Sequence, residues 1–131
     1  MKNFKVETRE EGPPVPPSIT FQNKKGPCRD LVLLYMAVCR NFGLAARFVS
    51  GYQEGDPDME HRDLHAWVEV YIPGGGWRGY DPSHGLIVAD RHIALAASYD
   101  PAGTIPVKGN FRGTGVTAKM DYLISLSALA D

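Results

Sequence analysis

Gly26-Pro27-Cys28-Arg29-Asp30, followed directly by Leu31-Val-Leu-Leu-Tyr-Met-Ala-Val-Cys-Arg-Asn-Phe42, is the stretch on which the fold turns. Its only charged residues are Arg29, Asp30 and Arg40, so the pattern predicts a helix from about Cys28 to Phe42 that is apolar on nearly every side and therefore central. Gly43 suits the left-handed residue that closes a helix, and Arg40 complements the negative end of the dipole. The head of this helix carries a thiol. A first turn offers unpaired N–H groups and a partial positive charge, and both favour thiolate over thiol. The second cysteine, Cys39, lies within the apolar run, roughly 16 Å along a straight helix axis from Cys28. That separation excludes a disulfide between them, and Cys39 reads as structural.

Downstream, Ala46 to Tyr52 reads as a strand, and the polar stretch Gln53 to Arg62 as a loop at the rim of the molecule. Ala66, Val68, Val70 and Ile72 then alternate with His65, Trp67, Glu69 and Tyr71, which gives a strand with one apolar face and a histidine on the other. Pro73-Gly74-Gly75 turns the chain. If Ile72 pairs with Gly76, His65 and Asp81 become diagonal neighbours on one sheet face, within side-chain reach. Trp67 shares the His65 face and is a candidate wall of a substrate cleft, while Trp77 and Tyr80 are expected in the core. His61, His84 and His92 are read as surface or rim residues. Val116, Ala118, Met120, Tyr122, Ile124 and Leu126 alternate again and predict a long, half-buried last strand. Ahead of the cysteine, Pro13, Pro14, Pro16 and Pro17 predict an extended lead-in over 1–25, leaving 26–131 as the folded core.

The 131 residues suit one domain, and 44% hydrophobic content is enough to enclose a core. With 14 basic and 15 acidic side chains dispersed along the chain, there is no basic stripe for nucleic acid or a membrane surface. Charged residues interrupt every hydrophobic run, and the N-terminus lacks a signal-peptide pattern, so a cytoplasmic location is the expectation.

The segments Gly26-Pro-Cys-Arg-Asp30, Cys39-Arg-Asn-Phe-Gly-Leu-Ala-Ala-Arg47, Val49-Ser-Gly-Tyr52, His65-Ala-Trp-Val-Glu-Val-Tyr71 and Gly76-Trp-Arg-Gly-Tyr-Asp-Pro82 closely resemble bacterial proteins of the transglutaminase-like superfamily. The resemblance implies a papain-like α+β fold, with a cysteine-bearing helix packed on an antiparallel sheet that carries histidine and aspartate. It matches Cys28 to the nucleophile, His65 to the base and Asp81 to the third member. The chain departs from the family pattern at Arg29, usually glutamine, at Ala45-Ala46-Arg47 in place of Pro-Ala-Arg, and at Asp81-Pro82-Ser83 in place of Asp-Pro-Thr. Relatives commonly place a β-sandwich and a helical segment before the cysteine, where this chain has 1–25. A cleft completed by a second copy, and so a homo-oligomer, is one expectation from that difference.

The implied chemistry is thiol-dependent acyl transfer on peptide or side-chain amides, with a peptide or protein as the substrate. Water is expected as the acceptor more than an amine, making the chain a cysteine peptidase or amidase before a cross-linker. The backbone N–H of Cys28 is the first oxyanion donor expected, and Gln22 a candidate second. A non-catalytic peptide-binding module that keeps the fold is the alternative. Cys28, His61, His65, Asp81 and His84 are zinc-ligand types, but Arg62 stands where a His-Glu-x-x-His motif needs glutamate, so no metal is assigned. No other cofactor is implied, because Glu54, Asp56, Asp58 and Glu60 lack the glycine and closing glutamate of a calcium loop.

Overall fold

The computed structural model describes residues 3–9, 12–54, 64–127 and 129. Two short strands, β1 (Lys5–Val6) and β2 (Lys25–Gly26), pair in parallel around α1 (Pro17–Asn23), and α2 (Cys28–Asn41) follows. Then come β3 (Ala46–Gln53), β4 (His65–Ile72), β5 (Gly76–Asp81), β6 (Leu86–Ile87) and β7 (His92–Ser98), closed by a 3-10 turn over Pro101–Thr104. The last five strands form one antiparallel sheet in the order β6-β5-β4-β3-β7.

The core lies between α2 and one face of this sheet. Val32 and Met36 of the helix pack with Ala46 and Phe48 of β3 and with Ala66, Val68 and Val70 of β4. These are the residues that the helical run and the period-two alternation select. The helix starts at Cys28, its cap is Phe42, and Gly43 takes φ 80°, the left-handed conformation expected there.

The lead-in departs from the extended reading, because residues 17–23 form α1. Pro17 occupies a first-turn position, where its missing N–H costs nothing, so the proline cluster starts a helix where it was expected to forbid one. Ahead of α1 the chain is stitched to the head of α2. Arg9 donates from Nη1 and Nη2 to both carboxylate oxygens of Asp30 at 2.8 and 2.9 Å, Val15 N–H donates to Asp30 Oδ1 at 3.2 Å, and Arg29 donates to the Arg9 carbonyl at 2.7 Å. Asp30 is 2% exposed, so these donors replace the water that its charge has lost. Gly26 makes room for it: a Cβ there would lie 2.9 Å from Cβ of Asp30.

The expected last strand is not formed. Residues 105–127 contain no helix or strand, and Val116, Met120, Tyr122 and Leu123 are 47 to 92% exposed. Alternation describes a strand only where a sheet edge accepts its backbone, and the two edges, β6 and β7, are not paired with this segment. Trp77, expected in the core, is 39% exposed, its ring set edge-on to Tyr71 and covered by the Arg47 guanidinium at 4.1 Å. Most of the loop read over Gln53 to Arg62 lies outside the described residues.

On the sheet's other face Val88 lies over Gly79, where a Cβ would meet it at 2.7 Å. To reach β7 from β6, residues 88–91 cross from one edge of the sheet to the other, beginning where Val88 N–H donates to Gly79 O at 2.9 Å. Trp67, on that face, is 1% exposed. Its ring fills the space that Gly51 leaves open at an irregularity between β3 and β7, where a Cβ would meet the indole at 2.6 Å. Gly51→Ala is expected to lower the free energy of unfolding by about 2 kcal/mol or more through overpacking, read as a lower urea midpoint. Gly109→Ala, with open space around it, should leave the midpoint unchanged.

Candidate active site

β4 and β5 pair with Ile72 opposite Gly76, which sets Trp67 beside Asp81 and His65 on the diagonal. This is the register assumed from the sequence, and its consequence follows: His65 Nε2 and Asp81 Oδ2 are 2.7 Å apart. The contact is dry at its base and open at its top. The Asp81 side chain has 0% exposure and that of His65 has 14%. Cys28, the first residue of α2, is half-buried, and it lies near enough to His65 to help raise the imidazole's pKa. With Nε2 taken by Asp81, Nδ1 is the ring atom left to face the sulfur.

Burial alone would push the His65 imidazolium to a lower pKa. The hydrogen bond and charge of Asp81, together with those of Cys28, outweigh burial and raise it to about 9. Burial likewise works to raise Asp81, but the bond and charge of His65, helped by His92 and His84, hold the carboxyl below its ordinary range. A charged imidazolium beside the Asp81 carboxylate is therefore the favoured state of that pair. Cys39 packs at the margin of the core, and burial pushes its thiol up.

His92 is the functional residue that sequence reasoning misplaced. Read as a surface or rim group, it has a side chain only 3% exposed and puts Nε2 3.0 Å from the same Asp81 Oδ2. Its ring also stands edge-on to Trp67, with centroids 5.0 Å apart. Only its place at the head of the apolar run Ile93 to Ala97 marked it in the sequence. Trp67, expected to wall a cleft, is instead packed beneath the site, its ring 6.2 Å from that of His65. Gln22 is exposed on α1. Tyr80, expected in the core, is half-buried at its margin and stacks on Tyr35 at 6.1 Å; both line a shallow cleft with Asp81, Pro82, Leu86 and Ile87.

His84 is exposed, with its ring 5.3 Å from that of His65. Atoms of His65, Asp81 and His84 that could ligate a metal lie within 4.8 Å of one another. The 2.7 Å His65–Asp81 contact is, however, shorter than the roughly 3.3 Å edge between two tetrahedral zinc ligands at about 2.0 Å from the metal, so this pair shares a proton as it stands. Of the other ligand types weighed, His61 lies outside the described residues and Cys28 is not in the cluster.

A cysteine-headed helix packed on an antiparallel sheet that carries a histidine–aspartate pair is the papain-like α+β arrangement of the transglutaminase fold. The chain belongs to the transglutaminase-like superfamily, whose family model matches residues 1–82. It is 31% identical to an uncharacterized Mycobacterium leprae protein over 112 residues, 81% of this chain and 39% of that protein. A second uncharacterized protein, from Mycobacterium tuberculosis, is 33% identical over 96 residues, 66% of this chain and 31% of its own length. A Pseudomonas aeruginosa protein-glutamine gamma-glutamyltransferase is 35% identical over 71 residues, 49% of this chain and 11% of that enzyme. The fold is similar to that of a candidate cysteine protease from Cytophaga hutchinsonii, with a TM-score of 0.66 at 27% identity over 79% of this chain and 34% of that one. The chain thus spans well under half the length of these relatives. Fold and family support thiol-dependent enzyme chemistry at the level of the superfamily.

The raised His65 pKa links the site to stability. A group whose pKa rises from 6.5 to about 9 on folding stabilises the fold fully below about pH 6.5, and that stabilisation is lost as pH climbs through about 9. Urea unfolding between pH 6 and pH 10 should show this loss in the wild type. It should be much reduced in His65→Gln, which keeps an N–H for Asp81 and cannot titrate.

Proposed function

We propose that this domain catalyses thiol-dependent acyl transfer from peptide or side-chain amides, with Cys28 as nucleophile, His65 as acid and base, and Asp81 orienting the imidazole. The observation that carries this reading is the His65–Asp81 pair itself, a 2.7 Å contact with the imidazole pKa raised to about 9 by the carboxylate and the nearby sulfur. In the proposed reaction the Cys28 sulfur attacks the amide carbonyl carbon. The C–N bond then breaks as His65 delivers its proton to the departing amine, leaving a thioester on Cys28 and a neutral imidazole. Water, deprotonated by His65, attacks the thioester, and the acid is released with the sulfur restored. Asp81 stays ionised throughout and holds the ring.

The oxyanion formed at each attack needs N–H donors. The N–H of Cys28 lies in the first turn of α2, preceded by Pro27, and has no carbonyl one turn earlier to accept it. Gln22 is the candidate second donor. We favour hydrolysis over cross-linking because nothing in the described residues forms a recognisable site for a second amine. The relative named as a protein-glutamine gamma-glutamyltransferase keeps amine transfer as the competing outcome.

The test uses a Cys39→Ala protein, so that Cys28 is the only thiol, and p-nitrophenyl acetate as acyl donor. A burst of p-nitrophenol with a 42 Da mass increase on Cys28 (acetyl in place of hydrogen) is expected, slowed about 100-fold or more in His65→Ala. Acylation no faster than that of free cysteine would leave a peptide-binding module as the better description. With a glutamine peptide, ammonia release should be unaffected by added amine if water is the acceptor.

A further inference from the structure

Asp81 Oδ2 receives two imidazoles. His65 Nε2 approaches it at 2.7 Å from β4, and His92 Nε2 at 3.0 Å from the first residue of β7. A carboxylate oxygen can only accept, so both nitrogens must carry hydrogen. Among the described residues His92 Nδ1 is buried with no hydrogen-bond partner, in keeping with a proton carried at Nε2. The His92 ring is in turn fixed from outside the site. Its backbone N–H bonds to Ala89 O at 3.4 Å, at the end of the crossing segment, and its ring lies edge-on to Trp67, whose indole occupies the gap left by Gly51.

Among the described residues Asp81 Oδ1 has no hydrogen-bond partner, and the directional contacts on this carboxylate go to Oδ2. With His65 alone, the group could turn about its Cβ–Cγ bond and present either oxygen to a ring that hydrolysis requires to swing little. With His92 also bound, rotation would break a second, buried hydrogen bond. We propose that His92 is a positioning residue for the triad: it locks the Asp81 carboxylate in the one rotation that aims Oδ2 at His65, and so holds the His65 ring toward Cys28. This rests on the triad reading above. A purely structural role would affect folding stability but leave the His65 ring and Cys28 reactivity as they are.

The experiment compares His92→Phe, which removes the donor but keeps a ring edge-on to Trp67, with His92→Gln, whose terminal amide retains an N–H. Both are made in the Cys39→Ala protein and checked for folding by circular dichroism. Acylation of Cys28 by p-nitrophenyl acetate is expected to slow about tenfold in His92→Phe, in the maximal rate and not in KM, and to return to within about threefold in His92→Gln, as for loss and recovery of a hydrogen bond to a charged group. A folded Phe variant that acylates like the wild type, or a Gln variant as slow as Phe, overturns the proposal. Nitrogen-15 NMR of the histidine rings reads the same point without turnover. The wild type should show His92 as the Nε2–H tautomer, and His65 ring shifts should change in the Phe variant and be restored in the Gln variant. An Nδ1–H tautomer at His92, or His65 shifts indifferent to both substitutions, also overturns it. If the wild type fails to acylate, the triad reading fails, and the NMR result still decides whether His92 orients Asp81. If the Phe variant does not fold, the wild-type tautomer and the Gln variant decide.

Discussion

A carboxylate with no exposed surface must either take a proton or be surrounded by donors, because removing its charge from water without compensation costs several kcal/mol. Asp81 takes the second course, and much of the architecture follows from that. Its donors come from two other strands, one adjacent to it in sequence and one not. β4 supplies His65 through a tight hairpin, and β7 supplies His92 only after the chain has crossed the sheet. Trp67, 1% exposed, packs against the rings of both histidines on the same face. The charge on Asp81 then sustains an imidazolium that burial by itself would discharge.

The opposite problem is solved at the head of α2. Asp30, two residues from Cys28, is a buried negative charge close to where a thiolate would form, and like charges there would oppose one another. Arg9 neutralises it through two short hydrogen bonds, and Arg29 in turn grips the Arg9 carbonyl. The residues ahead of the cysteine are thus part of the site's electrostatics. Arg29, where relatives usually have glutamine, gains an explanation as a tie to that segment.

What was legible in the sequence was local. Cys28 at the head of an apolar run fixed the helix, and the period-two pattern of β4 with the Pro73-Gly74-Gly75 turn fixed which residues share a face with His65. Both depend on a few adjacent residues, and Ile72 does stand opposite Gly76. The failures were matters of what meets what across the chain. Alternation from Val116 to Leu126 resembles a strand, but no edge receives it. Trp67 occupies the face predicted for it, yet it is buried there against His92 and the gap at Gly51, which no local pattern announces. His92 is invisible for the same reason, since its value comes from lying beside β3 and reaching Asp81 two strands away. The proline cluster misled in another way: a proline breaks a helix from within but suits its first turn.

The distribution of exposure along the site bears on the choice of acceptor. Asp81 has no exposed side-chain surface, the His65 side chain is 14% exposed, and Cys28 is half-buried. The base of the site is sealed by Trp67 and His92, so a substrate and the group that later releases it must arrive from the same open side. Under the proposed chemistry the departing amine leaves by that route, and the group that resolves the thioester enters by it. A transferase would have to keep water out of that opening while admitting a second amine, which requires walls above the sulfur. The described residues supply a sealed floor and a shallow flank of Tyr35, Tyr80 and Leu86 beside Asp81. Under the proposed hydrolysis, water is the group that enters from the open side, and selection of an amine would need further walls around that entrance.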